Sequence, residues 1–346
     1  MMPIVTETDF NEQIKLNDFK RAYFIYGKEK YLVDYYTKKL TDKVLSEGKN
    51  SFNLQDFSML DFDMDMFHDA VEALPLMATT KCVRLFDFDV EKENQETLKT
   101  LKEIISDVPG STIVIMSQKS IEIDQKRSSK WISFIKFFEK HGEVLELSPL
   151  AAIRLKRQLI KWAEKLSCDL SEDNAWKMIK KCGDNLYILK QELEKLCAYV
   201  NKSEIKSEDI DKIVIGNIET NIFELTKAIT MRNYGRAYEV LDNLFYKREE
   251  PTAVLSIMAS IYIDMYRVKV AEQNGKTLKD IEKIFDYERK KFRLDNAKNY
   301  VKRASIESIR KCLDLITDVD VKLKSSRIDS KVLLEELITK LSEAVS

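Results

Sequence analysis

Up to about residue 147 the chain alternates short β-branched or aromatic runs with segments of helical spacing, and beyond that point no strand pattern follows. The strand candidates are AYFIYG (22–27), FNLQDFS (52–58), CVRLFDF (82–88), STIVIMSQ (111–118) and EVLELS (143–148). The intervening YLVDYYTKKLTDKVL, DMFHDAVEAL, QETLKTLKEIISDV and SSKWISFIKFFEKHG place their apolar residues three and four apart. Strand–helix alternation of this kind predicts a parallel sheet covered by helices on both faces.

From SPLAAIRLKRQLIKWAEKL onward the spacing is helical, with Ser148 suited to an N-cap and Pro149 to the first helical position. Leu186, Leu189, Leu193, Leu196 and Val200 then form one apolar stripe. Past Gly216 come long amphipathic patterns. Ala237, Val240, Leu241, Leu244 and Phe245 line one helix, and Ile257, Met258, Ile261, Tyr262 and Met265 line the next. No repeat of fixed period interrupts them, so a single bundle is expected. The expected fold class is α/β plus all-α: a doubly wound parallel-sheet domain over 1–148, a small helical domain over 149–216 and a helical bundle over 217–346.

Composition narrows the function. A chain of 346 residues exceeds one ordinary core, and its 8 glycines and 5 prolines suit a helix-rich protein with few long loops. A formal net charge of −1 excludes a global basic field, so any nucleic-acid contact must be local. Cys82, Cys168, Cys182, Cys197 and Cys312 form no CxxC pair, and with only two histidines no metal site of usual spacing can be assembled. A reduced, cytoplasmic protein without metal is expected. The start MMPIVTETDF lacks the apolar core of a signal peptide. The most apolar long run, 253–270, contains Asp264, Arg267 and Lys269, so a buried helix is expected there and no membrane span.

The stretch YFIYGKEKYLVDYY reads as a buried strand, one glycine and a helix. Phosphate-binding loops place G-x-x-x-x-G-K-[ST] between such a strand and helix. Here Gly27 is followed by Lys28, Glu29, Lys30 and Tyr31, with neither a second glycine nor a hydroxyl residue.

Four stretches, FIYGKEKYLVDYY, ALPLMATTKCVRLFDFD, GDNLYILKQELEKLCAY and SSRIDSKVLLEELITKL, taken in this order and spacing, resemble the delta subunits of the bacterial DNA polymerase III clamp loader, within the AAA+ ATPase group. The resemblance covers the whole chain. It implies an AAA+-like domain with a degenerate phosphate loop, a helical lid and a C-terminal collar that joins a ring of ATPase subunits. It also implies a function: a non-hydrolysing subunit that binds and opens the sliding clamp and helps to load it onto primed DNA.

Three positions bear on hydrolysis. The loop after Gly27 is short of glycines; Asp87 and Asp89 would share one strand face with Phe86 and Phe88 on the other; and GDNL ends in Leu186, where ATP-binding relatives carry an arginine. The resemblance therefore implies no catalysis by this chain itself and no cofactor. Two rivals stay open, a divergent AAA+ nucleotide-binding protein with a cryptic phosphate site and a helical DNA-binding adaptor.

A surface for the clamp is sought in VEALPLMATTKC. A helix is expected from about Asp63, with Asp63 and Asp65 at its N-terminus and Pro75 stopping it soon after Leu74. Leu76 and Met77 then fall on a turn. Spacing alone allows them to pack under the strand at 82–88. The resemblance instead implies that they insert into a hydrophobic pocket of the clamp, with Leu74 and Pro75 as neighbours. The family pair is usually leucine with an aromatic, so Met77 is a departure. Leu74 is expected to be more of a core residue than a hook, and Thr79, Thr80 and Lys81 a polar rim.

Between Arg289 and Lys311 nine basic residues face two acidic ones, Asp295 and Glu307, with Phe292 and Tyr300 interleaved. Arg289, Lys290, Lys291, Arg293, Lys298, Lys302 and Arg303 are candidate DNA contacts, with Arg310 and Lys311 completing the run; a solvated helix face is the alternative. His68, His141, Trp131, Trp162, Trp176 and the cysteines are expected to serve packing or helix ends.

Overall fold

The structure is a computed structural model and describes residues 5–46, 51–59, 62–123, 128–285, 287 and 291–344. It divides into two compact units, Met1–Leu155 and Lys156–Ser346.

The first unit runs α1 (Glu7–Leu16), β1 (Ala22–Gly27), α2 (Lys30–Val44), β2 (Leu54–Ser58), α3 (Met64–Glu72), β3 (Lys81–Phe86), α4 (Gln95–Ser106), β4 (Thr112–Gln118), α5 (Ser129–His141) and β5 (Glu143–Leu147). The strands form one parallel sheet in the order β2-β3-β4-β1-β5. β1 and β4 are buried almost throughout, because helices cover both faces and leave no polar side for alternation. On one face Phe24 of β1 meets Phe134 and Phe138 of α5 at ring-centroid distances of 5.7 and 5.3 Å.

Two boundaries differ from expectation. CVRLFDF ends as a strand at Phe86, because Asp87 turns to φ +52° and its carboxylate accepts from the backbone N–H groups of Lys119 (2.7 Å) and Ser120 (2.8 Å). The alternation expected over 86–89 therefore fails, and Phe88 enters the core while Phe86 is half-buried. After β5 the helix begins at Ala152, not at Pro149, with the Ala151 carbonyl accepting from Leu155 N–H. Leu155, Leu159 and Trp162 are its buried residues nearest the start.

That helix, α6 (Ala152–Lys165), leads into the second unit: α7 (Glu172–Cys182), α8 (Leu186–Tyr199), α9 (Ser207–Ile213), α10 (Ile218–Thr230), α11 (Tyr234–Tyr246), α12 (Pro251–Gln273), α13 (Leu278–Ile284), α14 (Lys291–Tyr300), α15 (Ile306–Ser325) and α16 (Ser330–Ala344). The α8 leucines are buried as the stripe predicts, and α11, α12, α15 and α16 share one apolar core. No described helix is long and apolar enough to cross a membrane. All five cysteines are buried, and burial pushes the thiols of Cys82, Cys182, Cys197 and Cys312 up to about 12. Trp131 and Trp162 are core residues, whereas Trp176 is exposed with Lys156 Nζ 5.8 Å from its ring centroid.

Candidate functional site

The turn after α3 begins with a helix that stops early. Its start is as expected, with the Asp63 carboxylate accepting from Met66 N–H at 2.9 Å. Its inner face is Phe67, Ala70 and Val71. At the other end Ala73 N–H still donates to Asp69, but the next two carbonyls go elsewhere: Lys81 Nζ donates to Ala70 O and Thr112 Oγ1 to Val71 O at 2.9 Å. Side chains at the starts of β3 and β4 thus take the last-turn acceptors, so α3 ends at Glu72, before proline requires it. Lys81 is accordingly not a rim residue. It is buried, and desolvation holds its ammonium below the usual lysine range, with Glu72 opposing the shift. Thr80 also turns inward and donates to Val44 O at 3.1 Å.

Past the helix end the chain is displayed to solvent. Leu74 is 85% exposed, Leu76 48% and Met77 94%. Leu74 is therefore no core member, and the two hook candidates do not pack beneath β3. Met77 sits at φ +50°, a left-handed conformation that costs a side-chain-bearing residue roughly 1–2 kcal/mol. Such strain concentrates at binding sites. Leu76 is held from below: Asn53, 1% exposed, accepts from Leu76 N–H at 2.7 Å and donates to Leu76 C=O at 2.9 Å. Its neighbour Phe52 is 72% exposed.

The loop between β1 and α2, at the carboxyl end of the sheet where open α/β folds bind ligands, holds only Lys28 and Glu29. Gly27 lies at φ +149°, and a Cβ there would fall 2.1 Å from Leu147 O, so the glycine lets β5 pass close by. Glu29 N–H donates to that same carbonyl at 3.2 Å. The Glu29 carboxylate then caps α2 by accepting from Tyr31 N–H at 3.3 Å. The positive helix end, where a phosphate would sit, already faces an internal anion. Asp89 accepts from Glu91 N–H at 3.1 Å and pairs with Lys92 at 3.3 Å. Among the described residues no group of three or more His, Cys, Asp or Glu could hold a metal ion. Leu186 is buried at the head of α8 behind its Asn185 cap.

In the basic run, Arg289 and Lys290 lie outside the described residues, as do the side chains of Lys291, Phe292 and Arg303. Arg293 is turned inward: its guanidinium pairs with Asp264 at 2.6 Å and donates to Ser260 Oγ at 2.8 Å. That removes it from the candidate DNA surface, since a buried carboxylate of α12 claims its charge. Tyr300 is also inward, donating to Phe223 O at 3.5 Å. Lys298, Lys302, Arg310 and Lys311 are exposed, with Arg310 donating to Tyr266 Oη at 2.9 Å.

A family model described as DNA polymerase III, delta subunit, matches residues 23–148, and a second, described as the C-terminal domain of that subunit, matches residues 219–341. The chain belongs to the DNA polymerase III delta subunit family. The family is that of a subunit and not of the polymerase itself. Its relatives include the DNA polymerase III subunit delta of Bacillus subtilis (strain 168), 21% identical over 340 residues and 96% of each chain. A probable delta subunit of Aquifex aeolicus (strain VF5) is 23% identical over 339 residues, 92% of this chain and 91% of that one. Among solved structures, the Bacillus subtilis DNA clamp loader delta protein superposes with a TM-score of 0.69 at 22% identity, covering 97% of this chain and 99% of that one. That likeness extends to the fold of α/β sheet followed by helices.

In this delta-family chain, Asn53 was not visible as a site residue in the pattern of the sequence, and Lys81 was read as rim where it is buried. FNLQDFS reads as a strand, but its first two residues belong to a 3-10 turn and only Leu54–Ser58 is extended. A lysine ahead of a strand is ordinarily solvated. The available signal was an asparagine, a residue that bonds backbone in turns, at the mouth of an apolar run.

Proposed function

We propose that this chain is a non-hydrolysing clamp-loader subunit that binds the sliding clamp through the turn 74–77 and favours its open form. The observation that carries the reading is the near-complete exposure of Leu74 and Met77 on a turn anchored by a buried side chain. Large apolar groups in a desolvated pocket dominate an interface's energy, and Leu76 and Met77 would each gain roughly 1.5–3 kcal/mol on burial. Contacts made only to the open clamp shift its equilibrium by their differential affinity. The reading further assigns the ATP to neighbouring ATPase subunits, because the Glu29-capped loop supports a chain that holds no nucleotide. The exposed Lys298 and Lys302 would contact the backbone of primed DNA in the assembled loader, in the cytoplasm.

The test is binding of the purified chain, without nucleotide, to the sliding clamp of the same cell. Tight binding is expected, unchanged by ATP and magnesium. A Leu76→Ser/Met77→Ser variant of unaltered melting temperature should bind at least about 100-fold more weakly, the equivalent of roughly 3 kcal/mol. Equal binding by the two chains would overturn the assignment of the hook.

A further inference from the structure

The turn 73–80 has no helix or strand of its own, yet one side chain far away in sequence satisfies both backbone groups of Leu76. A carboxamide can do this because it carries a donor and an acceptor in the geometry of a peptide group, which neither a carboxylate nor a hydroxyl reproduces. Asn53 is itself buried, so these bonds face little competition from water. The residue beyond Leu76 adopts a left-handed φ that a free chain would seldom visit.

We infer that Asn53 is a positioning residue for clamp docking: its carboxamide holds Leu76 in a single backbone pose, and so presents Leu74 and Met77 to the partner already ordered. The inference rests on the reading of 74–77 as the clamp contact and adds a cause to it. The hook is exposed because the backbone beneath it is tethered. A preformed turn binds without first losing its conformational freedom, and an untethered one must be ordered at the moment of docking.

The experiment uses the full chain and the sliding clamp, with Asn53→Ala and the milder Asn53→Ser beside the Leu76→Ser/Met77→Ser variant. Asn53→Ala should raise hydrogen exchange at the Leu76 amide about tenfold, leave the amides of β3 and β4 unchanged, and weaken clamp binding about tenfold. In a Met77→Ala background the same change should weaken binding by less than about threefold, because the most exposed of the side chains being positioned is gone.

If the Leu76→Ser/Met77→Ser variant binds the clamp as well as the unaltered chain does, the reading of the turn falls and this inference with it. If that variant loses binding while Asn53→Ala and Asn53→Ser keep it, the inference alone falls. An equal loss in the Met77→Ala background, or faster exchange across β3 and β4, would show general loosening and would also overturn it.

Discussion

Glu143 shows how a single buried group makes stability depend on pH. It lies on β5 beside Tyr23 of β1 and accepts from Gln13 Nε2 at 2.7 Å, while Gln13 Oε1 and Glu143 Oε2 find no donor among the described residues. Burial raises the carboxyl above its ordinary value, against the lowering effect of the Gln13 hydrogen bond and Lys20. A raised folded value means that the native state holds the proton more tightly. The stabilising contribution is full below the ordinary carboxylate value and is lost as pH rises through the folded one. Glu143→Gln, which removes the charge and supplies a donor, should stabilise the chain by about 1 kcal/mol at pH 7.5, with the gain shrinking toward pH 4. Thermal melts at both values test this, and a gain independent of pH would refute the titration. Gly27 teaches a related lesson at this scale. As the glycine after a strand it stood out in the sequence, but the reason for it, the closeness of Leu147, belongs to a strand 120 positions away and could not be read locally.

At the scale of elements, the tie between α12 and α14 is the clearest energetic statement. Asp264 is buried mid-helix and accepts from Arg293 Nε at 2.7 Å and from Tyr287 Oη, with Arg267 3.6 Å away. Burial and the Asp264 contact together raise the Tyr287 phenol above its usual value, so it stays a donor. Removing one partner of such a pair leaves a carboxylate poorly compensated in the interior. Arg293→Ala should therefore lower unfolding stability by about 3 kcal/mol, whereas Lys298→Ala one turn on should change it by less than about 0.5 kcal/mol. Chemical denaturation of the two variants checks the contrast, and equal effects would mean that Arg293 is not held as described. The sequence showed Asp264 only as a charge spoiling an apolar run and Arg293 only as one of a basic cluster. That they neutralise each other is a fact of helix packing.

At the scale of the whole molecule the net charge is −1, so any binding to DNA must come from local charge. Each phosphate neutralised by a lysine releases counterions and adds about 0.9 to the salt slope on duplex DNA. In the loader assembled with clamp and primed DNA, Lys298→Ala/Lys302→Ala should lower that slope by roughly 2 and weaken binding similarly across sequences. An unchanged slope would place both lysines off the DNA.

By itself the sequence determined the alternation of strands and helices between about residues 22 and 148, the passage from α/β to all-helical structure, the α8 and α12 core faces and a turn at Leu76 and Met77. These follow from periodicity, proline and apolar runs, all of which act over a few residues. Only the tertiary structure decided that α3 ends at Glu72, that Leu74 is exposed and Lys81 buried, that Arg293 serves a carboxylate, and that Asn53 holds Leu76. Each of these depends on a hydrogen bond or ion pair between distant segments. Such bonds are set by which atoms the fold brings within about 3 Å, a distance that no local pattern encodes.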